Sequence, residues 1–303
     1  MKTTQKTGLL LGPLLFFIIQ FLPVALVSNK GDAVIAVAVW MVIWWITETV
    51  NIAVTALLPL ILFPLLKVMP IVDVGANYGS PIIFLFFGGF VLALALEKVN
   101  LHRRIALTIV KLTGTTPEKV VLGFMLATAF MSMWISNTAS TVVMLPIAIS
   151  VIKLLIDDKD GFTKGDKNFA LSIMLGIAFA ANAGGIATVI GTPPNSVLIG
   201  LLENQYNIQI SFLTWMSFGL PFSLLMITAV YFVLVKWMFP CKGIVFTSSA
   251  NLIHKELEQL GKISSEEKRV MTIFLITVFL WISRTLINSI FPGLKLSDTI
   301  ISL

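Results

Sequence analysis

Long apolar stretches separated by short polar segments dominate the chain. The apolar spans cover residues 8–27, 33–66, 80–96, 120–152, 168–202, 212–235 and 270–283. Several match or exceed the roughly 20 residues that a helix needs to cross a bilayer, and 33–66 is long enough to cross twice with a turn near Thr47–Asn51. The pattern predicts an all-α polytopic membrane protein. The first span is expected to stay as an anchor, because another span follows it at once.

Charge is sparse and confined to the segments between spans. Only 12% of the residues are charged and the mean hydropathy is +0.96, which excludes a soluble domain. Most of the Lys and Arg residues lie in four segments, which are 2–6, 98–119, 153–167 and 236–269. The positive-inside rule places these segments and the N-terminus in the cytoplasm. The net charge of +6 therefore indicates orientation in membrane lipid, and no nucleic-acid partner is expected.

The span 120–152 begins and ends on the cytoplasmic side by this rule, so it either crosses twice or dips in and returns. Its two limbs, 120–135 and 139–152, each reach only ~21–24 Å into a hydrocarbon core of ~30 Å. The lengths favour a re-entrant helical hairpin over 119–153, with Ser136, Asn137 and Thr138 at its tip. Irregular backbone at such depth is tolerated where it is buried in protein or lines a cavity.

The span 168–202 must cross an odd number of times, yet its middle is rich in residues that interrupt helices. The stretch NAGGIATVIGTPPN begins at Asn182. Proline removes a backbone donor and clashes with the preceding turn. We therefore expect one crossing helix that is broken in two near mid-membrane. The residues that shape the break are Gly184, Gly185, Pro193, Pro194 and Asn195.

The hairpin tip and the break share one chemistry, because a Ser/Thr/Asn cluster precedes a new apolar helix in each. Ser136 to Thr138 and Thr192 to Pro194 are typical of helix starts. Unpaired N–H groups and the positive dipole end at each start would attract an anion. Hydroxyl, amide and free carbonyl oxygens would hold Na⁺ nearby. No ionisable residue occurs in 120–152 or 168–202, which favours sodium over proton coupling.

Two other interpretations stand beside a transport site. The Ser and Thr hydroxyls would bond to their own helix backbone and the glycines would only permit close packing, in which case the polar clusters are structural. An intramembrane enzyme has little support, because the sequence has no paired membrane carboxylates, no His near a nucleophile and no H-E-x-x-H motif. The chain is therefore not expected to be an enzyme. No metal site other than sodium is expected, since His102 and His254 have no further ligand at suitable spacing.

Several stretches together give the chain a strong resemblance to the divalent anion/sodium symporter (DASS) family. They are WWITETVNIAVTALLPLILFPLL from Trp44, SPIIFLFFGGFVLALALEKVNLHRRIAL from Ser80, FMSMWISNTASTVVMLPIAI from Phe130, GGIATVIGTPPN from Gly184 and SSEEKRVMTIFLITVFLWISR from Ser264. The likeness covers nearly the whole chain. It implies sodium-coupled secondary transport of a di- or tricarboxylate, with a C4-dicarboxylate such as succinate favoured. Sulfate transport and dicarboxylate exchange occur within the same family.

The resemblance also implies a domain organisation. Residues 1–97 would be scaffold helices, and 98–118 an amphipathic cytoplasmic linker helix. The transport-domain part would be 119–202, which moves by an elevator mechanism in a homodimer. Residues 203–303 would add transmembrane helices and the cytoplasmic loop 236–269.

Site residues follow from the family motifs that the sequence matches. The resemblance implies that Ser132, Ser136 and Asn137 bind the sodium ion together with the backbone of Gly191, Thr192 and Pro193. It implies that the substrate carboxylate contacts the hairpin tip, through Asn137, Thr138 and Ser136.

Family members contain two inverted repeats, each with an S-N-T hairpin and a G-T-P-P-N break, whereas this sequence has one of each. The second repeat is incomplete, and the chain corresponds to about half to two thirds of the fold. We expect either a fragment or truncated product, which would not transport by itself, or a partner chain that supplies the rest.

Overall fold

The computed structural model describes residues 2–21, 27–114, 116–156, 163–241 and 256–303. These residues form helices joined by turns, and they contain no strand, which confirms the all-α prediction. The chain divides into two compact units, Met1–Ile83 and Phe84–Leu303. Parts of four predicted segments lie outside the described residues. They are 22–26 of the first span, 115 of the linker, 157–162 after the hairpin and 242–255 of the cytoplasmic loop.

The first unit is built on a close pair of helices. Its helices are α1 (Thr3–Gln20), α2 (Asn29–Thr47), α3 (Ile52–Thr55), α4 (Leu58–Leu65) and α5 (Ile71–Tyr78). A Cβ atom on Gly12 would lie 2.7 Å from the ring of Trp40, and the Trp44 Nε1 donates to the Gly8 carbonyl at 3.1 Å. The two glycines thus let tryptophans of α2 lie directly on the backbone of α1.

The second unit contains the predicted hairpin and the broken helix. Its helices are α6 (Pro81–Lys98, which starts just before the boundary), α7 (Leu101–Thr113), α8 (Pro117–Ser132), α9 (Asn137–Ile156), α10 (Lys164–Gly185), α11 (Pro193–Tyr206), α12 (Phe212–Phe232), α13 (Ser265–Ile290) and α14 (Asp298–Ser302). A π-helix, Val233–Met238, continues α12. The predicted linker over 98–118 corresponds to α7, although the structure ends α6 at Lys98.

Five helical segments among the described residues have the length and composition to cross a membrane. They are Asn29–Thr47, Ile71–Lys98, Lys164–Gly185, Phe212–Met238 and Ser265–Ile290. α1 is not among them, and the described part of the first span ends at Phe21. The second limb of 33–66 is also short: Ile52–Leu65 has about 14 residues and extends roughly 21 Å. A second crossing within 33–66 therefore stays a prediction.

The two limbs of the hairpin differ in length more than the sequence suggested. α8 has 16 residues and reaches about 24 Å, which is short of the hydrocarbon thickness. α9 has 20 residues and extends about 30 Å, because its helix continues past Ile152 through Lys153 to Ile156. By length α8 is thus too short to cross the hydrocarbon core and α9 is not, so a re-entrant hairpin stays a prediction.

α8 is buried over most of its surface, and its closest contact with the backbone of another helix is with α10. Gly184 of α10 lies so close to α8 that an added Cβ atom would be 2.3 Å from the Ala129 carbonyl oxygen. Because backbone atoms cannot move aside as flexible side chains do, this crossing requires glycine. It brings the ends of α8 and α10 together.

Helix α7 is joined to the start of α13 through Arg104. Its guanidinium binds both carboxylate oxygens of Glu267, at 2.7 and 3.2 Å, and donates to the carbonyls of Leu260 and Gly261. The two side chains are only 14% and 5% exposed. Paired hydrogen bonds between a guanidinium and a carboxylate, both charged, are stronger than hydrogen bonds between neutral groups. These hydrogen bonds of Arg104 fix the orientation of α7 within the second unit.

We predict that Gly184→Ala lowers the free energy of unfolding by about 1–3 kcal/mol, since the added methyl group meets the backbone of α8. The matched control is Gly75→Ala in α5, where an added Cβ atom meets nothing within 4 Å. That variant should be neutral or more stable by up to about 1 kcal/mol, because alanine favours helix. Thermal unfolding in detergent measures both. Equal stability of the two variants would contradict the close crossing of α8 and α10.

Candidate functional site

The hairpin tip is a helix start whose first N–H groups are only partly used. Ser136 is the N-cap of α9: its hydroxyl accepts from the Ala139 N–H at 3.2 Å and its carbonyl accepts from the Ser140 N–H at 3.0 Å. Within the described part of the chain, the N–H groups of Asn137 and Thr138 have no partner. Together with the positive end of the helix dipole, these two donors can hold an anion.

Three oxygen atoms lie close together next to the hairpin tip. One hydrogen atom is available to form a hydrogen bond between them. The Ser132 hydroxyl, which is fully buried, lies 2.6 Å from Asn137 Oδ1 and 2.7 Å from the carbonyl oxygen of Ala181. A hydroxyl donates to one acceptor at a time, so one of these close oxygen pairs is not joined by a hydrogen bond. The Asn137 Nδ2 donates to Asn182 Oδ1 at 3.0 Å, which turns Oδ1 toward Ser132. Such a cluster of neutral oxygens suits a cation.

The break between α10 and α11 spans residues 186–192, and side chains satisfy much of its backbone. The Asn195 amide uses both hydrogens, donating to the carbonyls of Gly185 and Thr188 at 2.8 and 2.7 Å. Trp215 Nε1 donates to the Ile186 carbonyl at 2.9 Å, and the Ser196 hydroxyl to that of Val189, also at 2.9 Å. Asn195 and Ser196 are buried. Buried backbone polar groups need such partners.

Some carbonyls of the break remain open. Among the described residues, none donates a hydrogen bond to the carbonyl oxygens of Ala187, Ile190 and Gly191. The Thr192 carbonyl accepts from the Asn195 N–H at 3.1 Å, and Pro193 is already the first residue of α11. Of the predicted backbone ligands Gly191, Thr192 and Pro193, Gly191 is thus the one whose carbonyl has no donor among the described residues, and sodium binding by all three stays a prediction.

Glycines bring the break against the hairpin tip. An added Cβ atom on Gly185 would lie 2.5 Å from Asn137 Oδ1, and one on Gly191 would lie 2.5 Å from the Gly185 carbonyl. Gly185 therefore lies between the tip amide and the end of the break. Larger residues at either position would separate the groups that the sequence assigns to one sodium site.

One expectation needs correction. Both helix starts were expected to offer unpaired N–H groups, but α11 does not. Pro193 and Pro194 occupy its first two positions and have no N–H, and the next N–H bonds to the Thr192 carbonyl. For the same reason the Thr192 side chain occupies the N-cap without making a capping bond. Among the first residues of the two helices, the N–H donors open to an anion thus belong to α9, while the break before α11 contributes open carbonyls.

The structural interpretation of the hydroxyls holds at some positions only. Thr128 and Thr141 bond to carbonyls one turn earlier in their own helices, at 2.6 and 2.8 Å. Ser132 and Thr188 instead reach other segments, since Ser132 meets Ala181 and the Thr188 hydroxyl donates to the Met133 carbonyl. These cross-segment contacts, and not the number of hydroxyls, distinguish the site from ordinary helix packing.

The structure unites some predicted residues and leaves others apart. Ser132, Asn137 and Gly185 meet directly, whereas Ser136 and Thr138 are exposed at the tip. Sequence reasoning gave no role to Asn182, Thr188 or the Ala181 carbonyl. Asn182 and Thr188 are polar residues of the break motif itself, and that position was the available signal.

Neither 120–152 nor 168–202 contains a titratable side chain. The electrostatic potential at the site therefore comes from helix dipoles. The carbonyl ends of α8 and α10 carry partial negative charge, and the start of α9 carries partial positive charge. All three ends meet at the Ser132, Asn137 and Gly185 contact. A cation and an anion can therefore be held side by side without a formal protein charge. Among the described residues no group of His, Cys, Asp or Glu could hold another metal.

The sequence is similar to those of known transport proteins. Residues 3–303 match the family model described as the sodium:sulfate symporter transmembrane region. A sodium-dependent dicarboxylate transporter of Staphylococcus saprophyticus is 43% identical over 284 residues, which are 92% of this chain and 54% of that protein. One of Staphylococcus aureus is 42% identical over 288 residues, which are 93% and 55% of the two chains.

The chain thus spans about half the length of the curated relatives it matches. The match extends over both the hairpin and the broken helix, and it confirms the family resemblance. The names of the family and of these relatives indicate transporters and not enzymes. The chain belongs to the sodium:sulfate symporter family.

Proposed function

We propose that this chain carries one half-site of a sodium-coupled carrier for di- and tricarboxylates, with C4-dicarboxylates such as succinate preferred. The observation that carries the proposal is the Ser132 hydroxyl, which is buried between two acceptor oxygens and has one hydrogen to give. A sodium ion shared by Ser132 and Asn137 would relieve this oxygen contact. The open Gly191 carbonyl would complete the near side of the ion's shell.

The anion would bind on the other side of the tip amide. The free N–H groups of Asn137 and Thr138 and the hydroxyls of Ser136 and Thr138 point to a carboxylate there, with the dipole of α9 behind it. Because the cation and the carboxylate would be neighbours, each favours binding of the other. The staphylococcal relatives are sodium-dependent dicarboxylate transporters, which supports this substrate class.

The movement proposed is an elevator in which 119–202 carries the site and 1–97 stays fixed, with 98–118 as the link. α8 and α9 would form a re-entrant hairpin, since α8 is too short to cross and is shielded by protein on most sides. The working unit would be a homodimer in the lipid of the cell membrane, with its N-terminus in the cytoplasm.

Two alternatives share the same site. The chain alone would be a non-transporting part if the second half-site is required, because it spans about half of its relatives. The family description names sulfate, another divalent oxyanion that N–H donors and a dipole suit equally well. A sulfate carrier or a dicarboxylate exchanger would use the same sodium and tip residues.

We predict that sodium stabilises the purified 303-residue chain specifically. At a sodium concentration about 100 times the Kd, we expect the free energy of unfolding to be about 2.7 kcal/mol higher than in choline chloride of equal ionic strength. Ser132→Ala should weaken sodium binding at least tenfold. At the same sodium concentration, the increase in the free energy of unfolding would then be about 1.4 kcal/mol. Thermal unfolding monitored by tryptophan fluorescence measures the effect.

The matched control is Ser150→Ala, on α9 but away from the tip, where the hydroxyl bonds only to the Pro146 carbonyl. It should keep the full stabilisation by sodium.

A different orientation of two amides is the alternative to a sodium ion. If the side-chain amides of Asn137 and Asn182 were both rotated by 180°, the same oxygens would be satisfied by hydrogen bonds and no cation would be needed. A wild-type chain that responds equally to sodium and choline would support that arrangement and refute the sodium site.

Transport is tested in a chimera that joins residues 1–303 to the remaining half of the Staphylococcus saprophyticus relative. We expect uptake of labelled succinate into proteoliposomes only under an inward sodium gradient. Asn137→Ala should reduce the initial rate at least tenfold, because this residue contacts both the cation and the carboxylate in the proposal. The 303-residue chain alone serves to test whether one half-site suffices.

The staphylococcal relative and the Ser150→Ala chimera are the positive controls for assembly. Competition by unlabelled sulfate, citrate and succinate ranks the anions. Sodium-independent uptake, or uptake unaffected by Asn137→Ala, would contradict the assigned coupling site.

A further inference from the structure

We propose that Thr188 is a positioning residue for the sodium site, which places the open Gly191 carbonyl by fastening the break to the turn of the hairpin. The inference rests on the proposed sodium site and goes beyond it, because Thr188 is given no contact with the ion or the substrate. It assigns a role to a residue within the break that the family motif alone leaves without one.

The Thr188 hydroxyl makes two hydrogen bonds to different segments. It donates to the carbonyl of Met133, which directly follows Ser132 at the end of α8. It accepts from the Gly191 N–H at 3.1 Å. Thr188 is fully buried, so water cannot replace either partner. The Thr188 hydroxyl oxygen thus bonds both to Met133, which follows Ser132 in the chain, and to Gly191, whose carbonyl is open to the ion.

The backbone of Thr188 is fixed as well. Its carbonyl accepts from the Asn195 amide, and the other hydrogen of that amide goes to the Gly185 carbonyl. Residue 188 is therefore connected to the ends of α8 and α10, to the break and to the start of α11. Because threonine is β-branched and stiff at χ1, the hydroxyl has little freedom to move independently of this backbone.

The same network selects which oxygens the ion can use. The carbonyls of Met133, Gly185 and Thr188 each accept a hydrogen bond, whereas the open carbonyls of the break are those of Ala187, Ile190 and Gly191. Without the Thr188 hydroxyl, the buried Met133 carbonyl and the Gly191 N–H would lose their partners and the break would rearrange to find others. Partners that orient metal ligands typically change metal affinity 10–100-fold when they are mutated.

The test compares three variants of the purified 303-residue chain. Thr188→Val keeps the shape and removes the hydroxyl, and Thr188→Ser keeps the hydroxyl. Thr128→Val makes the same change at another fully buried threonine, whose hydroxyl bonds only to Phe124 of its own helix. The readout is the sodium concentration that gives half of the maximal rise in unfolding temperature, with choline replacing sodium.

We expect Thr188→Val to raise this concentration at least tenfold, and Thr188→Ser and Thr128→Val to stay within about threefold of wild type. A purely structural role would lower the unfolding temperature without sodium and leave the half-maximal concentration unchanged. If Thr188→Val does not yield folded protein, Thr188→Cys is measured by the same criterion, since a thiol is a weak donor and acceptor.

The failures are distinguishable. A wild-type response to sodium that Thr188→Val retains within threefold would overturn the role of Thr188 and leave the sodium site intact. An equal tenfold loss in Thr188→Ser would also overturn it, because the hydroxyl would then not be the determining group. No sodium response in the wild-type chain would overturn the sodium site and this inference with it.

Discussion

The requirement that buried backbone groups find hydrogen-bond partners governs the second unit of this protein. A helix satisfies its own backbone, but residues 186–192 leave the helix while the surrounding chain is buried. Where no water is available, side chains must serve instead. Asn195, Ser196 and Trp215 donate to the break, and Thr188 ties it to α8. The carbonyls that these residues leave open are the ones available to a ligand.

The division of labour between the two interruptions follows from elementary donor chemistry. The start of α9 keeps N–H groups, because Asn137 and Thr138 can donate. The start of α11 does not, because Pro193 and Pro194 lack them. Of the two helix starts, that of α9 is therefore the one suited to an anion, and the open carbonyls of the break suit a cation. Since Gly185 brings them into contact, a neutral protein surface can hold a pair of opposite charges whose mutual attraction couples their binding.

Much of this arrangement could be predicted from the sequence, because it depends on residues close together in the chain. Ser136 as an N-cap, the double proline at the start of α11 and the glycines of the break are local signals. The contacts of Thr188 with Met133 and of Ser132 with Ala181 join residues about 50 positions apart, and no periodicity or motif indicates them. The length of α9 was also underestimated, since its helix continues through Lys153 beyond the apolar limits of the span. Hydrophobic pattern locates helices in a membrane but not their polar ends.

We propose that neutral oxygens of the hairpin tip and the break enclose a sodium ion. A structure of the chain determined in sodium chloride and again in choline chloride, at a resolution that shows bound ions, tests this most directly. We expect density in sodium alone, in contact with Ser132 Oγ, Asn137 Oδ1 and the Gly191 carbonyl. Identical maps in the two salts, with the amides of Asn137 and Asn182 turned over to pair every oxygen with a hydrogen, would contradict it.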